Sequence, residues 1–243
     1  MNFFAYEYDP AVKFDMYTPM HLLMLGITLV VVVVFFLFSK RIANSPHEQT
    51  IRRSFAGFFI VLLIGLMIVD GSGGHIWLPL HLCSISYLLT IALLITDNKR
   101  IFKYVFFTGI IGGLVTFAIP DLAHSGYNRF RFYEFIIAHT ALIVFPIYYL
   151  VHRKFEITRR DAIMAIVITN VIGFAMIPVN ILLDRTGIVP DANYMFVMNP
   201  PEDVQAVFGT FPWHMLTFEL VLLVTFFGLY AIAAWYQRKQ KAA

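Results

Sequence analysis

A histidine, a cysteine and two serines lie close together in an otherwise apolar stretch, LPLHLCSIS at residues 78–86. A thiol or hydroxyl can attack an acyl ester once a base removes its proton, which makes Cys83 or Ser84 a candidate nucleophile. Positions 81 and 83 lie about 200° apart around a helix, so His81 shares a face with Ser84 and not with Cys83. We therefore expect the base on another segment and expect His81 to orient the ester or donate to its oxyanion. A lone cysteine is equally consistent with an inert packing residue.

Five polar residues interrupt four different apolar segments at a similar predicted depth, and such residues inside a membrane are usually functional. They are His81, Glu134, His139, Asn180 and Glu219. Because each is too costly to face lipid alone, the set predicts a polar cavity that is open to the outside. His139, about 13 Å along its helix, is the candidate general base. The alternative is a hydrogen-bond network that only holds the helices together.

Further residues are candidates for binding or orienting a substrate. Arg131 and Glu134 have the i, i+3 spacing of neighbours on a helix face, which predicts an ion pair. Together with Glu219, this pair is expected to hold the histidines and to position a lipid headgroup. Trp213 and His214 mark the point where the chain re-enters the membrane, since tryptophan favours that interface.

The composition indicates a membrane protein. Of 243 residues, 59% are hydrophobic and 14% are charged, and the mean hydropathy is +0.74. Soluble domains carry about 25% charged residues. The apolar runs predict an all-α, seven-transmembrane helix bundle that forms one domain over residues 1–243. The predicted spans are about 18–38, 54–71, 76–96, 101–119, 130–152, 161–183 and 213–236.

The distribution of lysine and arginine predicts the orientation of the chain. Cytoplasmic loops are enriched in these residues. Fourteen of the 18 fall on one side of the predicted membrane, and the other four are Lys13, Arg129, Arg131 and Arg185. This distribution predicts an external N-terminus and a cytoplasmic C-terminus.

Two external segments are candidate lids, and one pair of glycines is a candidate packing motif. The N-terminal tail, residues 1–17, carries six aromatic residues between Phe3 and Tyr17, and the external loop 184–212 is the longest loop. Long loops in compact domains are often functional.

Gly109 and Gly113 form a GxxxG pair that predicts close approach of two helices.

Three stretches in chain order resemble the YwaF family of bacterial multi-pass membrane proteins. They are LPLHLCSIS, RFYEFIIAH and NPPE…FGTFPWHMLTFE. That family is similar to animal acyltransferases that move polyunsaturated acyl chains onto ether-linked lysophospholipids and, more distantly, to androgen-induced membrane hydrolases. The resemblance implies the bacterial cytoplasmic membrane, a Cys or Thr nucleophile and a histidine base that maps onto His139. In those acyltransferases a cysteine directly precedes the third-span histidine, where this chain has Leu80.

These observations predict a membrane-embedded lipid acyltransferase or acyl-ester hydrolase. Its predicted partners are a membrane lipid substrate and the bilayer, with no nucleic acid, and it needs no cofactor or metal. One alternative is a proton-coupled transporter or small-molecule binding protein, although no inverted repeat is visible in the sequence. A further alternative is a zinc-dependent, ceramidase-like hydrolase, since three histidines and two glutamates could ligate zinc. A retinal-based light sensor is excluded because no lysine lies between Trp213 and Tyr236.

Overall fold

The computed structural model describes residues 2–201 and 204–242, and within these ranges the chain is helical and has no strand. Met1 and Glu202, which belong to the predicted tail and the NPPE motif, lie outside the described residues. The all-α prediction is confirmed. The helices are α1 Pro19–Ala43, α2 Glu48–Ser72, α3 Leu82–Thr96, α4 Lys99–Ala118, α5 Phe130–Val151, α6 Arg159–Arg185, the short α7 Gln205–Phe208 and α8 Trp213–Ala242.

Six of these helices are long and apolar enough to cross a membrane, namely α1, α2, α4, α5, α6 and α8. The remaining apolar helix, α3, has 15 residues. It is therefore about 22 Å long, which is less than the roughly 30 Å of a hydrocarbon core. The chain is thus a polytopic helical membrane protein, while the count of seven spans stays a prediction.

The start of α3 differs from the sequence prediction. The third span was expected to begin at residue 76, but residues 75–80 are not helical and α3 begins at Leu82. Pro79 explains the difference because a proline pushes the residue before it out of the helical region. As a result, Cys83 is the second residue of α3, and His81 immediately precedes the helix.

The chain separates into two compact units. Unit 1 comprises Met1–Trp77 and Ser86–Phe155, and unit 2 comprises Leu78–Ile85 and Glu156–Ala243. The predicted single domain over residues 1–243 stays a prediction.

Unit 1 is built around α5, the most buried of the six candidate spans, which packs against α4, α1 and α2. The predicted close approach at the GxxxG pair is confirmed. A Cβ atom on Gly109 would lie 3.0 Å from the Leu142 carbonyl oxygen, and one on Gly113 would lie 2.9 Å from the His139 carbonyl oxygen. Glycine at these positions lets α4 pack directly on the backbone of α5.

Unit 2 is built from α6, α8 and the loop that connects them. Helix α6 packs against α8 and against the turn Tyr194–Phe196. Its N-terminus is closed by a capping box between Thr158 and Asp161, in which two otherwise unsatisfied backbone donors are bonded. The loop packs against α6, because Tyr194 and Val197 are buried against Met176 in an apolar cluster.

Candidate functional site

The N-terminal end of α5 carries a small group of ionisable side chains in unit 1, which we call the tail-end cluster: Asp70, Arg131 and Glu134. Arg131 Nη1 donates to Asp70 Oδ1 at 2.9 Å, which pairs α5 with the C-terminal end of α2. The predicted Arg131–Glu134 ion pair is therefore wrong. The i, i+3 spacing places the two side chains near one another, but α2 brings a competing carboxylate within hydrogen-bond distance of the guanidinium.

Glu134 is the unusual member of the tail-end cluster. Its residue is only 5% exposed. Arg131 and Asp70 are close enough to act on it electrostatically, yet within the described part of the chain no side chain forms an ion pair or hydrogen bond with its carboxyl group. A buried carboxylate without a partner is costly, so such a group favours holding a proton or binding a donor. The Glu134 carboxyl group can therefore exchange a proton or bind a hydrogen-bond donor of a substrate.

His139 lies further along α5, and its tautomer is set by its surroundings. Its Nδ1 is 2.8 Å from the Phe135 carbonyl oxygen. Because a carbonyl oxygen can only accept, Nδ1 carries the hydrogen and donates it, which leaves the lone pair on Nε2. The ring packs against Phe135 at 4.3 Å and against Phe117 at 6.2 Å between centroids. In its neutral form this imidazole, which lies in an aromatic setting, has one nitrogen able to take a proton.

Three predicted site residues in unit 2 bind one short turn, Tyr194–Phe196. Asn180 is 1% exposed. Its Nδ2 donates to the Tyr194 carbonyl oxygen at 3.1 Å, and its Oδ1 accepts from the Tyr194 N–H at 2.9 Å. His81 Nδ1 accepts from the Met195 N–H at 3.3 Å. Through these bonds Asn180 and His81 stabilise the backbone conformation of the turn.

His214, which is fully buried, completes the set by donating from Nε2 to the Phe196 carbonyl oxygen at 3.0 Å. The turn needs this support because Met195 and Phe196 have φ values of 59° and 54°. Each left-handed residue other than glycine costs about 1–2 kcal/mol. We conclude that the three polar side chains hold a strained turn. The predicted cavity, for which His81 and Asn180 were two of the five lining residues, stays a prediction.

The remaining predicted residues also belong to unit 2. Cys83 and Ser84 are half-buried in the first turn of α3. Glu219 is half-buried on α8, and Trp213 is the exposed first residue of α8. The predicted pairing of Cys83 or Ser84 with His139 stays a prediction from sequence.

Sequence reasoning missed a second polar group in unit 1, which we call the basic-end cluster: Glu48, Arg52, Asp97, Tyr148, Tyr149 and Arg153. Arg52 is 3% exposed. Its Nε donates to Glu48 Oε1 at 2.7 Å, and its Nη1 donates to Tyr149 Oη at 2.9 Å and to the Leu94 carbonyl oxygen at 2.8 Å. The i, i+4 spacing of Glu48 and Arg52 was the signal that could have found it.

Two further side chains of the basic-end cluster contact the Glu48 carboxylate. Tyr148 Oη donates to Glu48 Oε1 at 3.0 Å, and Arg153 Nη1 lies 3.7 Å from Glu48 Oε2. Arg153 also donates from Nη2 to Asp97. These contacts join the beginning of α2, the end of α3 and the end of α5. Each charged side chain of this cluster has a partner of opposite charge.

The zinc alternative has no ligand set in residues 2–201 and 204–242. Over these residues, no three His, Cys, Asp or Glu side chains are grouped closely enough to hold a metal ion.

Helical architecture and apolar spans place the chain among polytopic helical membrane proteins. The model of the TMEM164 family matches residues 16–230, so the chain belongs to the TMEM164 family. The match includes α1 to α7, the tail-end and basic-end clusters and most of α8. No curated protein and no solved structure matches the chain.

Proposed function

We propose that this protein is a membrane-embedded acyltransferase or acyl-ester hydrolase that acts on a phospholipid or fatty-acid ester, with His139 as its general base. The observation that carries the proposal is the tautomer of His139. Its Nδ1–H is bound to the Phe135 carbonyl, so the basic nitrogen is Nε2. An orienting bond on one imidazole nitrogen leaves the other in the form that general-base catalysis requires.

In the proposed reaction, Nε2 of His139 takes the proton of an attacking hydroxyl or thiol as it adds to the ester carbonyl carbon. The tetrahedral intermediate then collapses, and the same proton passes to the departing alcohol oxygen. In the second half of the reaction, a lysolipid hydroxyl in a transferase or water in a hydrolase gives its proton to Nε2 and attacks the acyl-enzyme carbonyl carbon. The bond from the acyl group to the enzyme nucleophile then breaks, and the nucleophile takes that proton back. Cys83 and Ser84 are retained as candidate nucleophiles, and the resemblance to the YwaF family and its acyltransferase relatives supports this choice. No cofactor enters the proposal.

The proposal also includes the topology. Seven spans with the N-terminus outside and the C-terminus in the cytoplasm of a bacterial cell are supported by the asymmetry of lysine and arginine. With this orientation the tail-end cluster faces the outer leaflet.

Acyl exchange in proteoliposomes tests the proposed base. His139→Asn is the informative variant because the asparagine amide can still donate to the Phe135 carbonyl but offers no basic nitrogen. We expect a loss of at least about 100-fold. His47→Ala, at an exposed histidine before α2, is the matched control and should keep full activity. Unchanged exchange in His139→Asn would reject His139 as the base.

A second candidate function, proton-coupled transport, is favoured by one observation. Glu134 and His139 lie on the same helix, and both are buried or half-buried groups that can exchange a proton, as in transporter proton relays. Proton-linked flux of a solute into sealed proteoliposomes that depends on Glu134 would support transport. Lipid acyl exchange without such flux would support the enzyme.

A further inference from the structure

We infer that residues 2–17 form a strap that closes the tail-end cluster from the water side and that Tyr6 is the residue that covers the Asp70–Arg131 pair. This inference rests on the proposed function for the role of the cluster, and it names how access to that site is controlled. Its geometry stands independently on contacts within unit 1.

The free end of the strap is bound to the beginning of α5 through its backbone. The Phe130 N–H donates to the Phe3 carbonyl oxygen at 2.9 Å, and Arg129 Nε donates to the Glu7 carbonyl oxygen at 2.7 Å. Arg129 is 7% exposed, so its guanidinium is held between the strap and the helix. The strap therefore covers the first turn of α5, where Arg131 begins the tail-end cluster.

The part of the strap nearest to α1, around Phe14, which we call its root, is more deeply buried. The Phe14 N–H donates to the His124 carbonyl oxygen at 2.9 Å, and the Phe14 side chain is 3% exposed against Met24 and Phe132. By contrast, Phe3 and Tyr8 are 39% and 40% exposed. Segments with few buried contacts open at low free energy. The free end can therefore lift while the root stays in place.

Two glycines are needed for space where the strap passes. A Cβ atom on Gly126 would lie 1.7 Å from the Val12 carbonyl oxygen, and one on Gly73 would lie 2.4 Å from Tyr6 Cγ. Neither glycine has a positive φ, so an alanine would be compatible with the local backbone. Each position therefore offers a substitution that pushes the strap away without altering a side chain of the cluster.

Tyr6 connects the strap to the cluster. Its ring stacks on His75 with 4.4 Å between centroids. Burial raises the pKa of Tyr6, and Arg131, which is close enough to interact, opposes that shift. Asp70 acts on Tyr6 as well. The tyrosine thus lies beside the Asp70–Arg131 pair, and its loss should open the cluster to water.

Carboxyl labelling in proteoliposomes tests the strap. A water-soluble carbodiimide with glycine ethyl ester converts accessible carboxyl groups to amides, which mass spectrometry assigns to individual residues. We expect Glu134 to be protected in the wild type and labelled at least about tenfold more in Gly126→Ala and Gly73→Ala. Gly112→Ala, whose added Cβ would meet nothing within 4 Å among the described residues, is the matched control. Exposed Asp191, which lies outside the strap, normalises the labelling.

Buried Glu48 in the basic-end cluster reports whether the helices of unit 1 stay folded, because its labelling should not change. If Glu48 also becomes labelled in a glycine variant, Tyr6→Ala replaces that variant as the test. Equal normalised labelling of Glu134 in the wild type and in the strap variants overturns the inference. The result is separable from the proposed function, since His139→Asn should abolish acyl exchange and leave the labelling pattern as in the wild type.

Discussion

The two ends of unit 1 use ionisable residues in different ways. At the basic end, Glu48 and Arg52 are bonded to each other and to tyrosine hydroxyl groups. At the tail end, Arg131 and Asp70 form one ion pair, and Glu134 is buried beside it without a bonded partner in the described chain. A buried network of ion pairs holds helices together, whereas an ionisable group outside any ion pair has its chemistry available. The comparison separates structural polar residues from candidate functional ones.

The largest expected effect falls on the basic end. Arg52→Ala removes the nearest cation of the buried Glu48 carboxylate and leaves only the more distant Arg153, at 3.7 Å, to compensate its charge. We expect a loss of about 3–5 kcal/mol in stability, measured as the free energy of unfolding in detergent micelles. Arg53→Ala, at the exposed neighbouring position, should change little. Equal stability of both variants would show that the cluster does not hold α2 against α5.

The opposite result is expected at the tail end. Glu134→Gln keeps the size of the side chain and removes its charge, so stability should be unchanged or slightly higher because a buried charge is relieved. Acyl exchange should fall by about 10–100-fold if the carboxyl group positions substrate or carries a proton. A variant that loses stability and keeps its activity would assign Glu134 to the structural class and remove the contrast between the two ends.

A smaller effect is expected in unit 2, where the same distinction applies. Asn180→Ala leaves the buried N–H and carbonyl groups of Tyr194 without their partner, which costs about 1–3 kcal/mol. The loop that ends at Phe196 should then become sensitive to proteolysis. Asn170→Ala on the same helix is the control. Undiminished protease resistance in Asn180→Ala would mean that the left-handed turn does not need this side chain.

Features that depend on local sequence were predictable. Apolar runs predicted the long helices because a span needs about 20 such residues. The GxxxG spacing predicted contact at Gly109 and Gly113, since small residues permit close packing. The late start of α3 was missed because the apolar run continues through Pro79, although the proline itself carried the signal.

Features that depend on pairing between distant segments were not predictable. The i, i+3 rule compares residues on one helix, so it favoured Glu134 over Asp70 as the partner of Arg131. Arg52 and Arg153 were counted only as loop charges that define orientation. The i, i+4 spacing could have paired Arg52 with Glu48, but nothing in the local sequence shows that Arg153 shares the same carboxylate. Likewise, periodicity does not reveal that a loop turn will bind Asn180.

Acyl exchange by His139→Asn in proteoliposomes, measured beside Glu48→Gln, tests most directly whether His139, and not the basic-end cluster, carries the proposed chemistry. Both proteins should be reconstituted at the same folded concentration. The account predicts that His139→Asn is folded and inactive, with exchange reduced at least about 100-fold, and that Glu48→Gln is less stable yet active per folded molecule. Full exchange by His139→Asn, or loss of exchange only in Glu48→Gln, would contradict it.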